Sequence, residues 1–63
     1  MTRYERKLFF ERLVALRDDY RNQAHVATEL TIDGVSAFAD AAYDEAAALD
    51  AASTAVKGAP TAD

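Results

Sequence analysis

Apolar side chains recur along the first thirty residues at the spacing of an α-helix. At about 100° per residue, Phe9, Leu13, Leu16, Tyr20, Ala24, Ala27 and Leu30 share one face, at intervals close to a coiled-coil seam. No glycine or proline interrupts residues 2–30, and Thr2 with Glu5 forms the Ser/Thr-x-x-Glu pattern of a capping box. The pattern predicts one helix over residues 2–30, able to reach ~40 Å at 1.5 Å per residue.

Thr31-Ile32-Asp33-Gly34 breaks the periodicity. A β-branched pair and a glycine disfavour continuation, and Thr31 or Asp33 is a suitable N-cap for a following helix. So short a connection turns the chain back on itself. Helical spacing resumes over residues 34–56, with Val35, Phe38, Ala42, Leu49, Ser53 and Val56 on one face and Ala46 at its margin. A second ridge of small side chains runs through Ala37, Ala41, Ala48, Ala51 and Ala55. It suits either close approach of another helix or plain helix propensity on an exposed face. Lys57-Gly58 is a helix stop, with a cation at the C-terminus and a C′ glycine. The expected organisation is a helical hairpin over residues 1–57 (helix 2–30, turn 31–34, helix 34–56) and a flexible C-terminal tail over 58–63. The fold class is all-α, an antiparallel two-helix hairpin.

Size changes this picture. With 63 residues and no cysteine, the chain cannot be held by disulfides, and so short a chain buries only about 60% of its unfolded surface. Each helix of a hairpin covers one side of its partner, so large side chains on both seams are left half covered. Pairing two hairpins into a dimeric four-helix bundle would close the core. The expected oligomer interface is Phe9, Leu13, Leu16, Tyr20, Phe38, Leu49 and Val56. Leu8, Phe10, Val14, Val26 and Tyr43 lie off the main seam, where an interface would use them.

Charge is divided unequally between the helices. The formal net charge is −4. Residues 1–25 hold six basic and four acidic side chains, whereas residues 31–63 hold one basic and six acidic. A mildly basic first helix and an acidic second helix attract one another, within a hairpin or across an interface. The start of the chain is charged and no apolar run of about 7–15 residues follows, so no signal peptide is expected. No apolar run approaches ~20 residues, so no membrane span is expected either. The expectation is a cytoplasmic protein with no membrane partner.

One face carries candidate binding chemistry. Arg3, Lys7, Phe10, Val14, Arg17 and Arg21 form a stripe about 120° from the seam, basic at both ends with an aromatic at its centre. Cations that contact phosphate and a ring that stacks on bases make an RNA face. Alternatively Phe10 and Val14 enter the dimer interface, and the flanking arginines pair with Asp40, Asp44 or Asp50. The acidic balance of the chain, with Glu11, Asp18 and Asp19 close by, favours the second reading. The pattern resembles the Rop-type regulators of plasmid copy number in Met1-Thr2-Arg3, in Glu5-Arg6, in length and in the basic stripe around Phe10. That resemblance implies a hairpin dimer that binds paired RNA loops through its first helices. The sequence departs from the type in placing Val14 where its phenylalanine lies, and its polar contact residues have no clear counterparts here.

Catalytic and metal chemistry find little support. His25 and Glu29 share a helix face at i, i+4, but the inward carboxylates and Glu-x-x-His pairs of a di-iron bundle are missing. Asp18-Asp19 and Asp44-Glu45 are adjacent rather than facing. Ser36 and Ser53 have no base or glycine-rich elbow, and Gly34 and Gly58 make no phosphate loop. The reading is therefore a non-enzymatic protein with no cofactor, no metal and no small-molecule substrate. It is expected to be a homodimer that acts as a protein-binding accessory or regulatory module, of a kind found in bacteria and phages. An RNA-binding regulator is the alternative, and a structural subunit of a larger assembly is the second alternative.

Overall fold

The computed structural model describes residues 1–62. They form two helices, α1 (Arg3–Leu30) and α2 (Val35–Lys57), packed against each other as a hairpin 50 × 13 × 11 Å in extent. Among the described residues there is no strand.

Helix α1 starts where the capping box places it. The Glu5 amide donates to Thr2 Oγ1 at 3.1 Å and the Thr2 amide donates to Glu5 Oε1 at 2.9 Å. Two amides that no helical carbonyl can reach are thereby satisfied. The turn differs from expectation. The N-cap of α2 is Gly34, in the left-handed region at φ 86°, with no side-chain cap. Thr31 ends α1 in the left-handed region at φ 50°, where a β-branched residue is strained. The Val35 amide donates to the Ile32 carbonyl at 3.0 Å and closes the turn. Asp33 cannot cap α2 because the glycine's positive φ is what redirects the chain. At the far end α2 runs through Lys57. Gly58 is the C-cap with φ −90°, so no left-handed C′ glycine is used.

The seam between the helices follows a strict alternation of four and three residues. On α1 it comprises Arg6, Phe10, Leu13, Arg17, Tyr20, Ala24 and Ala27, and on α2 Val35, Ala39, Ala42, Ala46, Leu49, Ser53 and Val56. Every one of these is buried or half-buried, and Leu13, at 8% exposure, is the only large apolar residue among the buried ones. The remainder of the core is small: Ala24, Ala27, Ala39, Ala42, Ala46 and Ser53. The Ser53 hydroxyl donates to the Asp50 carbonyl at 2.8 Å, so this buried group is satisfied.

This seam corrects the expected one. Phe9, Leu16 and Leu30 are not on it and remain exposed. On α2, Phe38 is exposed and Ala39 takes its place, while Ala46 is central rather than marginal. The two α1 patterns coincide at Leu13, Tyr20, Ala24 and Ala27 and part by one residue where Phe10 replaces Phe9 and Arg17 replaces Leu16, because the strict repeat passes through two arginines that a search for apolar positions rejects. Both arginines lay their stems along the seam and carry their charge to its edge. Arg6 Nη1 donates to the Ala59 carbonyl at 2.8 Å, and Arg17 Nη1 donates to Asp50 Oδ1 at 2.6 Å.

Beyond Gly58 the chain crosses toward the start of α1, where the Ala62 amide donates to the Met1 carbonyl at 2.8 Å. The last residue of the expected 58–63 tail, Asp63, lies outside the described residues.

Candidate interaction surfaces

Antiparallel packing sorts the residues beside the seam into two flanks. Residues just before a seam position share one flank: Phe9, Leu16, Gln23 and Leu30 on α1, with Phe38, Glu45 and Ala52 on α2. Residues just after a seam position share the other: Lys7, Val14, Arg21 and Thr28 on α1, with Ser36, Tyr43, Asp50 and Lys57 on α2.

The first flank is apolar and uncovered. Phe9 and Phe38 are each 48% exposed and Leu16 is 43% exposed; Val26 and Leu30 are exposed beside them. A groove of about 380 Å³ opens between the helices near the turn, lined by Asn22, Gln23, Val26, Ala27, Leu30, Val35 and Phe38. Isolated exposed apolar residues are ordinary, whereas a run of them along one face calls for a cover. The seven residues expected at an oligomer interface therefore divide. Leu13 is buried within the hairpin, and Tyr20, Leu49 and Val56 are half-buried on the same seam. Phe9, Leu16 and Phe38 alone are left exposed.

The second flank is polar, and two of its charged residues, Asp50 and Lys57, are engaged with residues of the seam. Arg17 bridges Asp18, with Nε to Oδ1 at 3.1 Å, and Asp50, with Nη1 to Oδ1 at 2.6 Å. The bond to Asp50, and after it the bond to Asp18, raises the Arg17 pKa above its ordinary value. Phe10 is half-buried with Lys57 Nζ 5.8 Å above its ring centroid, within cation–π range. Arg3, Lys7, Phe10, Val14, Arg17 and Arg21 are thus not a separate face 120° from the seam. Phe10 and Arg17 lie on the seam itself, Val14 is half-buried beside it, and Arg21 is exposed. The Arg17–Asp50 bridge fulfils the pairing expected between the helices, and does so inside one hairpin.

What remains of the basic stripe is a cluster at the end opposite the turn. Arg3, Arg6, Lys7 and Lys57 surround Phe10 and line a shallow hollow of about 350 Å³. The sequence alone gave no sign of Lys57 in this group, because the hairpin's return brings it there across forty-seven positions from Phe10 (57 − 10).

His25 Nε2 lies 3.1 Å from Glu29 Oε1, both side chains exposed on the outer side of α1. Among the described residues no group of three or more His, Asp or Glu side chains is placed to hold a metal ion. No helix among them is long and apolar enough to cross a membrane. The ridge of Ala37, Ala41, Ala48, Ala51 and Ala55 is exposed, so the close helix approach uses Ala39, Ala42 and Ala46 instead.

Comparison with protein-family models, with curated proteins and with solved structures found no match.

Proposed function

We infer that this chain is a non-enzymatic helical hairpin that self-associates into a four-helix bundle and acts as a protein-binding accessory or regulatory module. One observation carries the reading. The hairpin's own core is built almost wholly of alanine, while Phe9, Leu16, Val26, Leu30 and Phe38 stand outside it. Burying a large apolar side chain is worth ~1.5–3 kcal/mol, so covering the exposed parts of these five adds substantial stabilisation that the hairpin alone does not realise. Once that flank is covered, the surface left for a protein partner is the outer side of α2. There Ala37, Asp40, Asp44, Ala47 and Ala51 are exposed, and an acidic, smooth helix face fits a basic helix.

A second reading rests on the cluster of Arg3, Arg6, Lys7 and Lys57 around Phe10. Four cations about an aromatic suit a phosphate backbone with an unstacked base, which is the RNA reading narrowed from a stripe to one end of the hairpin. Size-exclusion chromatography with light scattering, read for nucleic-acid and protein absorbance together, separates the two. A particle of about twice the 6.9 kDa chain mass, free of nucleic acid, supports the bundle reading. Salt-sensitive co-elution of nucleic acid, lost in Lys7→Glu, puts RNA binding first. A well-folded monomer at every concentration refutes the association on which both depend. A protein that gains helix only when its partner is added would instead be a structural subunit of a larger assembly.

A further inference from the structure

We propose that the flank carrying Phe9, Leu16 and the groove beside Val26 is the homodimer surface, and that its occupant is a second copy of this chain, laid antiparallel with Leu16 on the two-fold axis. The proposal rests on the self-association reading and names the face and register it uses.

The argument begins with position. Leu16 stands thirteen residues after Arg3 and fourteen before Leu30, at the middle of α1. A two-fold axis there overlaps two hairpins along nearly their whole length. A face of 50 × 13 Å offers a footprint on the order of 650 Å² before side-chain relief, near the ~800 Å² per partner of a stable interface.

A two-fold interface must also be complementary to itself: whatever lies before the axis has to fit what lies after it. Four residues before Leu16 is Arg12, and three residues after it is Asp19, at roughly 6 and 4.5 Å along the helix. Both are exposed on this flank, and within the described residues Arg12 has no ion pair. An antiparallel copy places Arg12 opposite the partner subunit's Asp19, twice by symmetry. Seven residues before Leu16 is Phe9, a half-exposed ring, and seven to ten residues after it are Gln23 and Val26, which line the apolar groove with Leu30 and Phe38. The same operation seats Phe9 at the mouth of the partner's groove. Beside Leu16 on α2, at the level set by the Arg17–Asp50 tie, the flank carries Ala48, Ala52 and Ala55, so nothing bulky holds the second pair of helices apart.

In the other arrangement, with the axis along the helices and both turns at one end, the Arg17–Asp50 register sets Arg12 level with the partner's Ala55 and Asp19 level with the partner's Ala48, so neither charge meets its opposite. The opposite flank offers no comparable fit. Its Asp50 is already paired with Arg17 of the seam, and among its described residues Tyr43 is the only exposed large apolar one.

The chain contains no cysteine, so single-cysteine variants of the full chain report the contact directly. Leu16→Cys, Phe9→Cys and Tyr43→Cys are treated with a short bis-maleimide, and circular dichroism verifies that each is helical. The expected result is rapid dimer cross-linking for Leu16→Cys and little for Phe9→Cys or Tyr43→Cys. In parallel, Arg12→Asp and Asp19→Arg are each expected to weaken the dimer roughly tenfold or more, and the double variant to restore it. Cross-linking through Tyr43→Cys in place of Leu16→Cys, in a protein that still dimerises, overturns the face and leaves the association standing. A double variant no better than the singles overturns the register. A monomer at every concentration overturns the proposal and the association together.

Discussion

Leu13→Ala is the sharpest test of where the hairpin's own core lies. Leu13 is 8% exposed and is the one large apolar side chain among the buried residues. The substitution removes three carbons, a transfer loss of about 2.4 kcal/mol at ~0.8 kcal/mol per carbon. The cavity adds to this according to how far the surroundings collapse. The Arg17–Asp50 tie sets a register in which Leu13 lies level with Ser53, with Phe10 and Arg17 next to it along the seam on α1 and Leu49 and Val56 on α2. Ser53 is too small to fill the space, while the larger neighbours can close part of it, which points to the middle of the range for Leu→Ala, about 3–4 kcal/mol. A protein of this size has roughly 3–9 kcal/mol in all. Thermal unfolding followed by circular dichroism should therefore show Tm lowered by ~15 °C or more, or no cooperative transition. A fall of only a few degrees would mean that Leu13 is not in the core, and the seam described here would be wrong.

Four further substitutions test separate links. Ala46→Leu overfills the close approach of the helices and should cost about 1–3 kcal/mol, whereas Ala51→Leu on the exposed side should change stability by less than ~0.5 kcal/mol; equal effects in urea titration would contradict the assigned helix faces. Thr31→Gly relieves a β-branched residue at φ 50° and should raise stability by about 0.5–1 kcal/mol in thermal melts, with a decrease refuting the strain at this position. Ser53→Ala removes a hydroxyl bonded only to the backbone of its own helix and should leave urea stability within ~0.5 kcal/mol; a larger loss would give that bond a role across the seam.

The existence, length and direction of both helices were legible in the sequence, because the capping box, the unbroken helical spacing and the Thr31–Gly34 break are local signals. Which stripe forms the seam was not. Reading apolar positions alone selects Phe9, Leu16 and Leu30, since it rejects Arg6 and Arg17. The folded chain accepts both arginines because their charged ends find Ala59 and Asp50, partners from the other end of the sequence. The same distance hides Lys57 from any local reading of Phe10. The turn residues misled for a different reason. Asp33 is chemically the better cap, but the reversal needs positive φ, and Gly34 supplies it. Phe9, Leu16 and Phe38 suit an oligomer interface by size and spacing, and the structure leaves these three exposed while drawing Leu13, Tyr20, Leu49 and Val56 onto the hairpin's seam.

The central claim is that this hairpin keeps one flank of large apolar side chains, with Phe9, Leu16 and Phe38, for association, so that folding and assembly are linked. Thermal unfolding of the unmodified chain across a hundredfold range of protein concentration tests this most directly. Linked folding and association predict a Tm that rises steadily with concentration. A Tm independent of concentration, with a cooperative transition at every dilution, would show that the alanine core suffices alone and would contradict the account.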